Sequence, residues 1–235
     1  MTDSYFTFKQ FRVLHRKSIM KVGTDGVLLG AYVDCKDAAS ILDIGTGTGL
    51  LCLMLAQKSN AIIHGIDINA EAVDVANINV CESKWNDRIT IIESSVQDFS
   101  PDIKYDLIVS NPPFYTTDVV APVKGRALAR HDIGLSSCDL AISIERLLSA
   151  NGRCYVIYPT AQADIFEAEC RNVGLFAKCK LLVSSRCDTE PIRTILELGR
   201  QDVPTIIDSL CIENNARHDF SEKYREITRD YYLKF

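Results

Sequence analysis

Residues 39–50 read Ala39-Ser40-Ile41-Leu42-Asp43-Ile44-Gly45-Thr46-Gly47-Thr48-Gly49-Leu50. A short apolar run ends in three alternating glycines, and a second apolar run, Leu50-Leu51-Cys52-Leu53-Met54-Leu55-Ala56, follows at once. The first run reads as a strand and the second as a buried helix. Glycines between them allow a tight turn and let the backbone come close to a ligand.

Outward from this unit, short apolar runs alternate with helical patterns. Ala61 to Ile66 reads as a second strand, Ile89 to Ile92 as a third, Tyr105 to Ser110 as a fourth and Cys154 to Tyr158 as a fifth. Between them, Ala72, Val73, Ala76 and Val80 predict a helix over Ala70 to Cys81, and Leu140, Ile144, Leu147 and Leu148 predict one over Asp139 to Leu148. Continuous apolar strands alternating with helices imply an α/β fold with a mostly parallel, doubly wound sheet covered on both faces. Lys180 to Val183 and Ile192 to Leu198 are strand-like with no helix between them, and predict an antiparallel hairpin closing one side of the sheet. Ser221 to Phe235 places Tyr224, Ile227 and Tyr231 on one helical face. The chain thus divides into an N-terminal extension (1–33), a core (34–200) and a C-terminal helical segment (201–235) of one domain. Thr24 is the expected N-cap of a helix carrying Val27, Leu28 and Ala31.

Composition bounds the function classes. The 235 residues are 47% hydrophobic and 24% charged, which argues against disorder. No long uncharged apolar stretch predicts a membrane span, and the N-terminus lacks the basic and apolar regions of a signal peptide. Nine cysteines, with no C-x-x-C pair, argue against zinc spacing and a secreted disulfide framework; free thiols in a reducing cytoplasm are expected. No metal site is expected. The net charge of −5 is not that of a general nucleic-acid binder. Even so, two segments are basic and free of acids: Lys9, Arg12, His15, Arg16, Lys17 and Lys21, and then Lys124, Arg126, Arg130 and His131. They are either solvated surface or a phosphate-tracking face, and charge alone does not separate the two.

The glycine run is G-x-G-x-G. The dinucleotide fingerprint requires a sixth-position glycine where Leu50 stands, and no phosphate-loop motif is present. Asp43, two residues before the first glycine, opposes a pyrophosphate and suits a cationic ligand. Asp67, at the tip of the second strand, can accept both hydroxyls of a ribose, with Gly65 leaving room for the sugar. After the third strand, Asp98 in Ser95-Val96-Gln97-Asp98-Phe99 can accept from an adenine amino group. Each acid alone is an ordinary turn former; three at successive strand ends form a constellation.

Asp43 to Gly49, Asp67 and Asp98 resemble the successive motifs of class I S-adenosylmethionine-dependent methyltransferases. The resemblance implies a Rossmann-like, seven-stranded sheet ending in an antiparallel hairpin. It also implies S-adenosylmethionine as cofactor, with Gly45, Gly47 and Gly49 against its methionine and ribose portions, Asp43 at its amino end, Asp67 on the ribose and Asp98 on the adenine.

The fourth strand ends in Asn111-Pro112-Pro113-Phe114. Two prolines fix the backbone and remove two N–H donors, leaving the Asn111 side-chain oxygen and the Pro112 carbonyl as an acceptor-rich corner. A ring amine is a poor nucleophile because its lone pair is delocalised. Two acceptors holding its hydrogens aim the lone pair at a methyl group, and Phe114 can stack on the ring. The tetrapeptide resembles that of amino methyltransferases acting on adenine N6, cytosine N4 or glutamine amide.

Phe6-x-Phe8-Lys9-Gln10-Phe11, Met20 to Ala31, Ala129-Arg130-His131 and Tyr224 to Thr228 are further similar to the bacterial methyltransferases of adenine N6 at position 37 of valine tRNA, over nearly the whole chain. That resemblance implies a tRNA partner, Thr24 beside the methionine end of the cofactor, and a role for the two basic segments on the anticodon stem. His131 reads as a general base, a phosphate contact or a structural hydrogen bond, and no catalytic role is assigned to it. Other readings are a glutamine methyltransferase of release factors, which usually has Tyr where Phe114 stands, a DNA adenine methyltransferase, a nicotinamide oxidoreductase and a non-catalytic RNA-binding module. A cytoplasmic monomer is the expected form.

Overall fold

The computed structural model describes residues 4–16, 21–113 and 135–234. In chain order the elements begin with β1 (Ser4–Thr7), β2 (Arg12–His15), α1 (Thr24–Tyr32), β3 (Ser40–Ile44), α2 (Leu50–Lys58), β4 (Ile62–Asp67), α3 (Ala70–Cys81), β5 (Ile89–Glu93) and β6 (Tyr105–Ser110). They continue with α4 (Ser137–Leu147), β7 (Leu148–Pro159), α5 (Thr160–Asn172), β8 (Phe176–Arg186), β9 (Pro191–Gly199), β10 (Ile206–Glu213) and α6 (Glu222–Thr228).

Side chains alternate along each strand, so one strand feeds two cores. On β3, Ile41 enters a cluster with Val27 and Leu28 of α1, Leu53 and Met54 of α2, and Tyr224 of α6. Its neighbours Leu42 and Ile44 enter a second cluster with Leu140 and Ile144 of α4 and Phe166 of α5. The main sheet runs β10-β8-β9-β7-β6-β3-β4-β5. Strands β3 to β7 are mutually parallel, and β9 is antiparallel to both β7 and β8. The doubly wound sheet and its late hairpin are therefore as expected.

Three expectations are corrected. Among the described residues the sheet has eight strands rather than seven, because residues 206–213, expected within a helical segment, pair in parallel with β8. Ile206 and Ile207 remain 67% and 68% exposed on this edge strand, so its apolar pattern does not mark a buried element. Cys187 and Cys211 form a disulfide, brought within a Cα–Cα distance of 5.0 Å by that pairing. The N-cap of α1 is Gly23, whose carbonyl accepts the first helical bond from Val27; Thr24 is the first helical residue.

The two chain ends close on each other. Phe8 stacks between Phe11 and Tyr232, with ring centroids 4.6 and 6.2 Å away. The Lys9 N–H donates to the Tyr231 carbonyl at 2.9 Å, and the Tyr231 hydroxyl donates to the Met54 carbonyl at 3.0 Å. The sequence features quoted at both termini thus meet in one aromatic seam over α2.

Candidate active site

Strand register builds the site. Ile44, the last residue of β3, pairs with Ile66 of β4 and with Ser110 of β6. The next residues out, Gly45, Asp67 and Asn111, therefore emerge side by side. Chain order reverses here, with β4 and β5 on one side of β3 and β6 and β7 on the other. Such a switch point opens a crevice at the carboxyl ends of the strands. Ser110 closes its floor by donating its hydroxyl to the Ile44 carbonyl at 2.8 Å.

The glycine loop follows. Gly45, Gly47 and Gly49 have φ of 73°, 56° and 78°, where a side chain would be strained. The N–H groups of Gly45 and Thr46 both donate to the Ile66 carbonyl at 2.9 Å, and that of Gly47 donates to Asp67 Oδ2 at 2.9 Å. With these N–H groups turned onto the protein, the start of the loop is no phosphate cradle. Among the described residues, a Cβ on Gly45 or Gly47 would meet nothing within 4 Å, so none of them covers that side of the loop backbone.

Asp43 is fully buried. Its Oδ2 accepts from the Thr46 hydroxyl at 2.6 Å and lies 3.5 Å from the Cys52 thiol, while Oδ1 has no partner among the described residues. Burial pushes its pKa up to about 7; the Thr46 and Cys52 hydrogen bonds oppose that rise, and the nearby Asp67 charge adds to it. A buried carboxylate with one empty oxygen fits a cationic amino group, directly or through water. Asp67 differs: Oδ1 accepts from the Asn69 N–H at 2.9 Å and Oδ2 from Gly47, which orients both oxygens and leaves lone pairs for hydroxyl donors.

The expected role of Gly65 is corrected. A Cβ there would lie 2.8 Å from Cys52 Sγ and 2.9 Å from both Thr46 Oγ1 and Ile91 Cδ1. Gly65 makes room for the side chains that support Asp43, not for a sugar. Asp98 is exposed and sits in a tight turn, with Oδ2 accepting from the Ser95 hydroxyl at 2.7 Å. Arg146 of α4 clamps that turn, donating to the Val96 and Phe99 carbonyls, each at 2.8 Å. Sequence reading missed Arg146, because a single arginine within the helix Ser137–Leu147 carries no positional signal.

Across the crevice Asn111 is partly buried, Pro112 buried and Pro113 exposed. The Asn111 amide nitrogen lies 3.7 Å from the point a Cβ on Gly26 would occupy, so α1 backs the amide. Arg193 of β9 fixes the first turn of α1 through a 2.8 Å bond to Asp25, and Thr24 is exposed in that turn. Phe114, Lys17, Lys124, Arg126, Arg130 and His131 lie outside the described residues. Of the other basic candidates, the Lys9 ammonium donates to the Arg229 carbonyl. Arg12 pairs with Glu82 at 3.0 Å and lies over the Tyr5 ring at 4.4 Å. Arg16 is half-buried and Lys21 exposed. A second residue missed from sequence is Asn79, only 1% exposed. Its Oδ1 accepts from the Leu14 N–H at 2.7 Å and its Nδ2 donates to the Thr48 carbonyl at 2.9 Å.

The empty acceptor on Asp43, the hydroxyl acceptors of Asp67 and the open face of the glycine loop together fit S-adenosylmethionine. The profile of the methyltransferase small domain matches residues 18–130. A tRNA1(Val) (adenine(37)-N6)-methyltransferase of Phocaeicola vulgatus is 42% identical over 233 residues, covering 99% of each chain. Among solved structures, a predicted O-methyltransferase from Agrobacterium tumefaciens superposes with a TM-score of 0.69 at 17% identity, over 88% of this chain and 96% of that one. The glycopeptide N-methyltransferase MtfA, solved with S-adenosyl-L-methionine, gives a TM-score of 0.56 at 10% identity, over 77% of this chain and 100% of that one. These two likenesses show a shared fold. From its identity to the Phocaeicola enzyme over nearly its whole length, the chain belongs to the tRNA1(Val) (adenine(37)-N6)-methyltransferase family.

Proposed function

We propose that the protein transfers a methyl group from S-adenosylmethionine to the exocyclic N6 of adenine 37 in the anticodon loop of valine tRNA, as a cytoplasmic enzyme. The observation that carries this reading is the placement of Asn111 and Pro112 beside the glycine loop, across one crevice from Asp43 and Asp67. The cofactor supplies an electrophilic methyl group on a sulfonium.

The chain's residues hold and aim. Asp43 takes the amino end of the cofactor, Asp67 the ribose hydroxyls and Asp98 the adenine amine, while Gly45, Gly47 and Gly49 let the backbone lie against it and Thr24 flanks its methionine end. The target adenine leaves the loop stack and presents its amine to the Asn111 side-chain oxygen and the Pro112 carbonyl, with Phe114 against the ring. Two accepted hydrogen bonds turn the nitrogen lone pair toward the methyl carbon. A C–N bond would form as the S–C bond breaks, the sulfur would leave as a neutral thioether, and the nitrogen would release one proton to water. Because attack neutralises the sulfonium, neutral acceptors suffice and no strong base is needed.

The basic segments, Lys9, Arg12, Arg16, Lys17, Lys21, Lys124, Arg126, Arg130 and His131, supply the RNA-facing charge in this reading. Incubation with labelled cofactor and either tRNA or release factor, followed by mass spectrometry of nucleosides and peptides, tests it. Label in N6-methyladenosine at position 37 of valine tRNA is expected. Label in a glutamine side chain, or in neither substrate, overturns the reading.

A further inference from the structure

The glycine loop has a weak point that its own bonds do not cover. Thr48 sits between Gly47 and Gly49, whose φ values of 56° and 78° only glycine holds at low cost. A glycine on each side lets the intervening peptide planes rotate cheaply. Such a rotation would turn the Gly47 N–H away from Asp67 Oδ2, the oxygen it holds at 2.9 Å. The Thr48 carbonyl is fixed from outside the loop by Nδ2 of Asn79, at 2.9 Å. The same amide holds the N-terminal hairpin through the Leu14 N–H at 2.7 Å. Helix α3 already lies against the loop, since a Cβ on Gly49 would be 3.4 Å from that of Ala76, one turn before Asn79.

We propose that Asn79 is a positioning residue of the cofactor site, locking the Thr48 peptide so that Gly47 keeps the Asp67 carboxylate aimed at the bound cofactor. Its second bond makes the β1–β2 hairpin part of that lock. An apolar residue would leave the Thr48 carbonyl without its partner, and an aspartate would set one oxygen against another while still accepting from Leu14. The inference rests on the proposed placement of S-adenosylmethionine at this loop.

Calorimetric titration with S-adenosylmethionine tests it on the full chain, alongside steady-state kinetics on tRNA. Asn79→Ala and Asn79→Asp are expected to weaken cofactor binding about tenfold, while kcat at saturating cofactor and KM for tRNA stay within about twofold. Equal weakening in both variants points to the Thr48 bond, because only Asn79→Asp keeps the acceptor for Leu14. Cofactor affinity within about twofold of the unsubstituted chain in both variants overturns the proposal. Asp67→Ala in the same titration separates the two layers of inference. If it loses affinity while the Asn79 variants do not, the lock alone fails; if it binds normally, the site placement fails as well. Hydrogen exchange on the unsubstituted chain keeps the test open should the variants not fold. Cofactor is expected to slow exchange at the Leu14 N–H, because a loop ordered by ligand holds Asn79 more firmly for the hairpin; unchanged exchange there overturns the proposal.

Discussion

On one side of β3 stand β4 and β5, and the acids at the tips of β3 and β4 are charged or chargeable acceptors fixed by the glycine loop. On the other stands β6, which ends in a neutral amide and two prolines. The difference matches the two partners that the proposed function assigns to the crevice. A cofactor carrying an ammonium and a ribose calls for carboxylates. An incoming ring amine calls for acceptors that take hydrogens without removing a proton before attack. A third region, the β8–β9–β10 edge, bears none of the proposed site residues, and the bond between Cys187 and Cys211 ties it covalently. Substitutions in the three regions should therefore separate into chemistry, cofactor affinity and stability.

The largest effect is expected on the amine side. Asn111→Ala should lower kcat by roughly 10²–10³, the scale of one lost transition-state hydrogen bond in a preorganised site. Cofactor affinity should hold; near-normal turnover, or a loss confined to cofactor binding, breaks the division. Next is Asp67→Ala, expected to weaken S-adenosylmethionine binding by about a hundredfold, since it removes the ribose acceptors and strands two N–H donors. Calorimetry reads this directly, and an unchanged affinity would move the cofactor elsewhere.

Asp43 sharpens the contrast through pH. Its carboxyl, raised to about 7, keeps a proton in the folded, cofactor-free chain that the unfolded chain has already released. The folded state therefore binds more protons between the unfolded value, 3.8, and about 7, and cofactor-free stability falls as pH rises through that window. A bound ammonium favours the charged carboxylate and expels the proton, so cofactor affinity should fall roughly tenfold from about pH 7 to about pH 5.5. Asp43→Asn should flatten that profile; the same slope in the variant would assign the proton to another group.

The smallest functional effect belongs to the far edge. Cys187→Ser with Cys211→Ser should leave kcat and cofactor affinity within about twofold while lowering stability by about 3 kcal/mol, as expected when the closed loop is opened. Thermal unfolding measures the loss, and a fall in kcat would join this edge to the site.

Much of the candidate site's inner layer was legible because its residues lie next to one another in sequence. The stretch Asn111 to Pro113, the loop Asp43 to Gly49 and the strand-end Asp67 each follow an apolar run, and a parallel sheet gathers strand ends at one edge. The partners that hold this layer were not legible. Asn79, Arg146 and Ser110 act on backbone carbonyls of other elements, and a side chain's choice of distant carbonyl leaves no local pattern. Gly65 was misread for the same reason: only the packed structure shows which side chains fill its missing Cβ.

Continuous apolar runs and period-3.6 apolar patterns by themselves determined the parallel strands, the helices between them and the direction in which their ends point, because burial against water acts on each segment locally. Tertiary structure alone decided the eighth strand, the disulfide and the seam between the termini. Strand β10 keeps Ile206 and Ile207 in solvent and gains its place from backbone pairing with β8, and the backbone groups that make such pairs are common to every residue, with only the N–H missing in proline. The helix α5 buries Ala163, Phe166 and Cys170 at helical spacing, but the exposed Ile165 among them blurs that apolar face in the sequence.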